Sequence, residues 1–223
     1  KDQKIYSAEY NAHMLETIKN QLKKFPLNPA QPSRQDSGSL AAVMVLLHGD
    51  QDNPQVVLTQ RAMHLNNHAG EVAFPGGMWD RTDRDLLHTA LRETEEEIGL
   101  APTLVEPIAM LPAASPKRRR LRVTPFVGLA QGPLKLRSEP SEIASIFDAP
   151  VSLFTDINNY QYFDLKNKQG ALSFPCLPYK GYKIWGFTLN VLVDLFNSTL
   201  DAAVELEYPS EELIQELRER GQQ

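Results

Sequence analysis

The stretch that decides the fold reads Gly76-Gly-Met-Trp-Asp-Arg-Thr-Asp-Arg-Asp-Leu-Leu-His-Thr-Ala-Leu-Arg-Glu-Thr-Glu-Glu-Glu-Ile-Gly-Leu100. Its second half predicts a helix over residues 83–98, with Thr82 or Asp83 as the N-cap. Gly99 is placed to end that helix, because glycine readily adopts the left-handed conformation that often follows the last turn. The paired glycines in front of the helix allow a tight backbone turn close to a ligand.

The predicted helix carries three glutamates on one face. Glu93, Glu96 and Glu97 are spaced i, i+3 and i+4, and they lie near the negative end of the helix dipole. Each repulsion among these carboxylates, or with the helix dipole, costs from a few tenths of a kcal/mol to about 1 kcal/mol. A hard divalent cation, which prefers oxygen ligands, would make the same arrangement favourable. A solvated acidic face is the alternative interpretation. A carboxylate cluster that binds a metal suits hydrolysis of a phosphoanhydride.

Outward from this helix, strands and helices alternate irregularly, which indicates an α/β fold with a mixed sheet between helical layers. The continuous apolar run at 40–47 is typical of a strand that is buried on both faces. Further strands are expected at 55–61, 71–74, 103–111, 121–130, 160–165 and 171–176. Short helical pieces are expected at 142–147 and 151–154, and helices at 7–25, at 186–196 and from Ser210 onward.

The N-terminal helix is amphipathic. Its apolar side chains recur at helical spacing, and they are Tyr10, Met14, Leu15, Ile18, Leu22 and Phe25. This stripe predicts either packing against the core or a contact in a homodimer. Proline, serine and asparagine are frequent at 26–38, which is typical of a linker.

Composition limits the classes of function. The chain has 223 residues and a formal net charge of −5, so its surface as a whole does not favour nucleic acid. No apolar run approaches the length of a membrane span, and the first residues lack an apolar signal region. The single cysteine, Cys176, excludes an internal disulfide framework and is expected in the core. We therefore expect a soluble cytoplasmic protein that binds neither nucleic acid nor membranes.

The stretch quoted first resembles the Nudix box, written GX5EX7REUXEEXGU, where U is a bulky apolar residue. Arg92-Glu93, Glu96-Glu97 and Gly99-Leu100 match the box in register. The upstream acid is Asp83 rather than glutamate, and eight residues instead of seven separate it from Arg92. This variant box looks like that of the coenzyme A pyrophosphatase branch of the Nudix hydrolases.

The segment just upstream carries a second resemblance to that branch. Residues 58–77 read Leu-Thr-Gln-Arg-Ala-Met-His-Leu-Asn-Asn-His-Ala-Gly-Glu-Val-Ala-Phe-Pro-Gly-Gly, which is similar to the branch signature LLTXRSXXXRXXXGXVXFPGG. Ala62 replaces a serine of the signature, and Asn66 replaces its second arginine. His68 or the basic segment at 117–122 is a candidate substitute for the lost arginine. Together the two motifs span residues 58–100.

The resemblance implies a Nudix-type α/β/α sandwich with a mixed sheet plus N- and C-terminal helical extensions. It places an N-terminal helical extension and linker at 1–35, the Nudix hydrolase domain at 36–200 and a C-terminal helix at 201–223. It further implies that Mg²⁺ or Mn²⁺ is held by Glu93, Glu96 and Glu97.

Roles for the remaining candidate residues follow from the same resemblance. Arg92 would orient the glutamates, and the catalytic base would be one of those glutamates or Glu142. A surface position in the first turn of a helix is the alternative for Glu142. Contacts to the substrate are expected from a set comprising Arg61, His68, Gly77, Arg118 and Arg119. Arg118 and Arg119 would clamp the 3′-phosphate of coenzyme A. A solvated loop is the alternative for their basic segment.

The implied activity is metal-dependent hydrolysis of the pyrophosphate bond of coenzyme A or acyl-CoA. The products would be 3′,5′-ADP and 4′-phosphopantetheine or its acylated form. The first alternative is a Nudix hydrolase of another nucleoside diphosphate derivative, such as ADP-ribose, NADH or a dinucleoside polyphosphate. A non-catalytic nucleotide sensor ranks lower, because that class typically loses carboxylates of the box and all three remain here.

Overall fold

The computed structural model describes residues 13–29, 31–33, 39–115, 121–167 and 170–214. Helix α1 is Met14–Leu22, α2 is Leu86–Ile98 and α3 is Gly186–Leu200. The strands are β1 Leu40–Gly49, β2 Pro54–Arg61, β3 Val72–Ala73, β4 Gly76–Met78, β5 Val105–Met110, β6 Arg122–Ala130, β7 Ile143–Pro150, β8 Gln161–Asn167, β9 Gly170–Tyr179 and β10 Tyr182–Trp185. None of the helices in these ranges combines the length and apolar character needed to cross a membrane.

The larger sheet has seven strands and is mixed, as the sequence predicts. Its main path runs β3-β2-β1-β6-β5, while β4 pairs with β1 and β7 pairs with β2. Strands β1 and β6 run parallel over eight residue pairs, from Leu40 opposite Arg122 to Leu47 opposite Leu129. The other pairs are antiparallel.

The sheet is covered by helices on both faces, and β1 shows how. Alternate side chains of β1 belong to two different cores. Met44 and Leu46 pack with Leu86, Ala90 and Ile98 of α2. Val45 and Leu47 face the other way, into a core that includes Ile18 and Leu22 of α1 and Leu192 and Phe196 of α3. The apolar run at 40–47 is therefore buried on both faces, and the α/β/α sandwich is confirmed.

Helix α1 belongs to the same core as the sheet. Met14, Leu15, Ile18 and Leu22 are buried there, and Phe25 packs against them. The apolar stripe of the described helix is thus used within the chain. The predicted start of the helix at 7–12, with Tyr10, lies outside the described residues.

A smaller sheet, in the order β10-β9-β8, follows the main one along the chain. It joins the edge of the larger sheet through Tyr182, whose ring stacks on Phe147 of β7 with centroids 3.8 Å apart. Cys176 of β9 is buried, as expected for a small core residue. A final helical turn begins after Ser210, whose Oγ accepts a hydrogen bond from the Leu213 N–H, as the sequence predicts.

Two local predictions are wrong, and two strands were not predicted. Residues 142–147 were expected to be helical, but β7 occupies Ile143–Pro150 because the backbone of β2 offers it a full antiparallel partner. Helix α2 begins at Leu86 rather than near residue 83, and its N-cap is Asp85, whose carboxylate accepts from the His88 N–H. Strands β4 and β10 were not expected.

Candidate active site

Asp83 sits in the loop before α2 and is the buried anchor of the site. Its side chain is 0% exposed. Arg92 donates to both of its oxygens, from Nε and from Nη2, at 2.9 Å each. The Thr89 hydroxyl and His88 Nδ1 also lie 2.9 Å from it. Burial opposes ionisation of Asp83, but these donors outweigh it and hold the pKa of the carboxyl well below its usual value.

Arg92 connects this anchor to the glutamates. Its Nη1 lies 2.9 Å from Glu93 Oε1 and 2.9 Å from Glu96 Oε2. The hydrogen bonds from the Arg92 side chain to Asp83 raise the arginine pKa further above its ordinary value, so the guanidinium stays charged. Arg92, which is held by its hydrogen bonds to Asp83, therefore contacts and orients Glu93 and Glu96.

Glu97 is the most buried acid of the cluster. Its exposed fraction is 3%, and Oε2 accepts a hydrogen bond of 3.1 Å from the Gly76 N–H. Burial raises the pKa of Glu97 to about 8, the Gly76 N–H partly offsets that rise, and the charge of Glu93 adds to it. Glu93 is also partly buried, and burial is the largest cause of its raised pKa. The positive charge around Glu93 and Glu97 is therefore too small to offset the cost of burying their ionised forms.

The Gly-Gly bend fits closely against these acids. A Cβ atom at Gly77 would lie 2.5–2.7 Å from the carboxylate atoms of Glu93, closer than real atoms approach. Strand β4, which contains Gly77, pairs with the start of β1 and so presses the bend onto α2. Only a residue without a side chain allows Glu93 this position.

The donor set suits a hard divalent cation, because it consists of carboxylate oxygens. Within the described ranges, no three His, Cys, Asp or Glu side chains already converge as a ready set of metal ligands. Arg92 contacts Oε1 of Glu93 and Oε2 of Glu96, while the Gly76 N–H donates to Oε2 of Glu97. Because each carboxylate has two oxygens, these donors and a cation can share the three side chains.

Glu142 is exposed and lies outside helix α2. It ends a turn at 139–142, directly before β7. Its negative charge contributes to the raised pKa of both Glu93 and Glu97, after the larger effect of burial. Glu142 lies in a turn and not in the first turn of a helix, and its role as the catalytic base stays a prediction.

Arg61 is at the end of β2, beside the turn of Glu142. Its positive charge lowers the pKa of Glu97, opposing the effect of burial. Its Nε is buried and has no hydrogen-bond partner in the described part of the chain. A buried donor of this kind costs free energy, so a ligand oxygen would be a favourable partner.

For the other predicted substrate contacts, the structure gives no interaction of His68 with the glutamate cluster among the described residues. His68 Nδ1 lies 2.7 Å from Glu71 Oε2 in an exposed pair. Arg118 and Arg119 lie outside the described residues.

Two histidines near the cluster were not expected from the sequence. His88 contacts Asp83, and His64 Nε2 donates to the Ser141 carbonyl at 3.0 Å. Asp83 and His88 are only five residues apart, so their contact could have been considered from the sequence. His64 gave none, because its partner lies 77 residues away.

Comparison with known proteins identifies the family. The NUDIX domain model matches residues 38–162. An uncharacterized Nudix hydrolase, NudL, of Salmonella newport (strain SL254) is 33% identical over 179 residues, which cover 80% of this chain and 93% of the relative. NudL of Salmonella typhimurium matches with the same identity and coverage. A MutT/nudix family protein from Enterococcus faecalis has a TM-score of 0.47 and 20% identity, over 87% of this chain and 74% of that chain.

An α/β/α sandwich that presents a carboxylate-rich helix to a Gly-Gly bend defines the class of the protein. With the family model and these relatives, the chain belongs to the Nudix family and is a Nudix hydrolase. Enzymes of this family generally need divalent metal ions.

Proposed function

We propose that this enzyme hydrolyses the pyrophosphate bond of coenzyme A or acyl-CoA, giving 3′,5′-ADP and 4′-phosphopantetheine or its acylated form. The observation that supports the proposal is that the segment 58–77 and the Nudix box at 76–100 contribute residues to the same candidate site. The segment at 58–77, which resembles the coenzyme A signature, ends in the glycines that pack on Glu93 and Glu97. The same segment contributes Arg61, with its unpartnered buried Nε.

Glu93, Glu96 and Glu97 would hold the metal, Mg²⁺ or Mn²⁺. When bound, the ion supplies charge neutralisation at the phosphates and a lower pKa for the attacking water. Arg92, anchored by Asp83, orients Glu93 and Glu96 for that purpose.

The remaining roles fall to Glu142 and Arg61. A carboxylate oxygen of Glu142 takes the proton of the water that attacks phosphorus, while the bond from phosphorus to the bridging oxygen breaks. Arg61 donates to phosphate oxygens, for which a guanidinium is well shaped. His68, Gly77, Arg118 and Arg119 complete the proposed substrate contacts, Gly77 by leaving room beside Glu93.

A panel of substrates tests the proposal. Turnover of coenzyme A, an acyl-CoA, 3′-dephospho-coenzyme A, ADP-ribose, NADH and a dinucleoside polyphosphate is measured with Mg²⁺ and with Mn²⁺. We expect kcat/KM to be highest for coenzyme A or an acyl-CoA. A preference for ADP-ribose, NADH or the dinucleoside polyphosphate would favour the alternative substrate class, which Asn66 in place of the second signature arginine supports.

Glu96→Gln tests the role of the cluster. Glu96 is 58% exposed, so the substitution should leave the fold intact while it removes a charge that the metal needs. We expect turnover to fall by at least about a hundredfold, in the range seen when electrostatic stabilisation of a transition state is lost. Glu95→Gln, on the exposed side of the same helix, is the matched control. Full activity of Glu96→Gln would rule out this assignment.

A further inference from the structure

The turn that carries Glu142 is held together internally by Glu139. The Glu139 carbonyl accepts from the N–H groups of Glu142 and Ile143, at 3.0 and 2.8 Å. The Glu139 carboxylate accepts from the Ser141 hydroxyl at 2.9 Å. The conformation of the turn is therefore locally defined, and its position relative to the metal cluster depends on what holds it from outside.

One external restraint comes from helix α2. The Glu139 N–H donates to the Glu97 carbonyl at 3.0 Å, and the Arg137 N–H donates to the Ile98 carbonyl at 2.9 Å. Carbonyls in the last turn of a helix have no partner within the helix, so these bonds satisfy them. They tie the start of the turn to the same residue whose side chain forms the buried part of the cluster.

A second restraint comes from residues 62–71, which we name the signature loop. The Ala62 N–H donates to the Glu142 carbonyl at 2.8 Å, and the His64 side chain donates from Nε2 to the Ser141 carbonyl at 3.0 Å. Because a carbonyl only accepts, Nε2 of His64 must carry the proton. This is the side-chain bond between the signature loop and the end of the turn.

The turn is therefore held from two sides. The Glu139 N–H ties it to the last turn of α2, while Ala62 and His64 of the signature loop bond the carbonyls of Glu142 and Ser141. Loss of the His64 bond removes one of these restraints on Glu142.

We propose that His64 is a positioning residue, which acts through the Ser141 carbonyl to keep Glu142 at the carboxylate cluster. The inference rests on the proposed function, in which Glu142 accepts a proton. It also couples the loop that recognises the substrate to the group that carries out the chemistry.

Steady-state kinetics of His64→Ala test this role. We expect kcat to fall about three- to tenfold, the effect of one lost hydrogen bond, while KM changes by less than about twofold. His64→Gln, which keeps an N–H donor, should recover most of kcat. His48→Ala removes a partly buried histidine, 2.9 Å from Asp148 at the far end of β1, and should match the wild type in kcat. Unchanged kcat in His64→Ala would overturn the proposal.

A double-mutant cycle shows whether His64 acts through Glu142. In the Glu142→Gln background, His64→Ala should cause no further loss, because the group being positioned is already gone. If kcat of the double variant instead fell by the product of the two single losses, His64 would act independently of Glu142, and the proposal would be overturned. Full activity of Glu142→Gln would also overturn it, while leaving the hydrolase assignment intact.

Amide hydrogen exchange separates positioning from catalysis. In His64→Ala, the Glu142 and Ile143 amides, which donate to Glu139, should exchange faster than in the wild type. If no coenzyme A derivative is hydrolysed but this exchange still accelerates, the proposed substrate fails and the positioning contact remains. Unchanged exchange overturns the positioning contact, whatever the substrate.

Discussion

At the scale of single residues, the active site depends on carboxylates in unequal surroundings. Asp83 is fully buried, yet it stays ionised because Arg92 and other donors surround it. Glu97 is nearly as buried but has one backbone donor and a neighbouring acid, so the pKa of its carboxyl rises to about 8. The first carboxylate stabilises the metal-free fold, and the second lowers its stability when ionised.

Glu97→Gln therefore has an effect on stability whose sign depends on pH. Because the folded pKa of Glu97 exceeds its ordinary value of 4.5, its favourable contribution is complete below that value and is lost as pH rises through about 8. Without metal at pH 9, the free energy of unfolding of Glu97→Gln should exceed that of the wild type by about 2–5 kcal/mol. At pH 4 the two should be similar.

Urea denaturation at pH 4 and pH 9 in the presence of a chelator checks this expectation. Glu95→Gln, exposed on the same helix, should show no such divergence. Added Mg²⁺ should stabilise the wild type more than Glu97→Gln, because only the wild type offers the buried charge to the ion. A variant less stable than the wild type at pH 9 without metal would contradict the argument.

At the scale of secondary structure elements, the site is made where strand β4 meets helix α2. Gly77→Ala places a methyl group where the Glu93 carboxylate lies. Since the obstructing atoms are the end of a flexible side chain, Glu93 should move and the fold should survive. We expect activity to fall more than about tenfold, and Mg²⁺ to raise the melting temperature less than in the wild type. Met78→Ala, next along β4 with an exposed side chain, is the comparison; an equal loss in both would point to general damage to the strand.

The same elements show what the sequence could predict. Helix α2 and its stop at Gly99, which is left-handed at φ 69°, follow from local pattern. Strand β7 does not, because Ile143, Ile146 and Phe147 recur at i, i+3 and i+4, the spacing of a helical face. Its strand geometry comes from pairing with β2, more than 80 residues earlier. The sequence allows Arg92 to reach a carboxylate of the preceding loop, but it does not single out Asp83, because the position of that residue depends on how the loop enters α2.

At the scale of the whole molecule, the chain outside the matched domain shares the central core. The family match begins at residue 38, but Ile18 of α1 is 0% exposed within the core that holds β1 and α3. The sequence left open whether this apolar helix packs on its own chain or on a partner. Its burial indicates that α1 and the sheet should unfold together.

Ile18→Ala tests that cooperation. Removing a fully buried isoleucine side chain should lower the free energy of unfolding of the entire chain by about 2–5 kcal/mol. The unfolding transitions followed by tryptophan fluorescence, from Trp79 beside α2 and Trp185 before α3, and by far-UV circular dichroism should move to lower urea together, as a single transition. Ile157→Ala, at a position 50% exposed, should change stability by less than about 1 kcal/mol. If Ile18→Ala instead produced an early transition that left the tryptophan signal unchanged, α1 would be a separate unit, and the hydrolase fold would keep its stability without this helix.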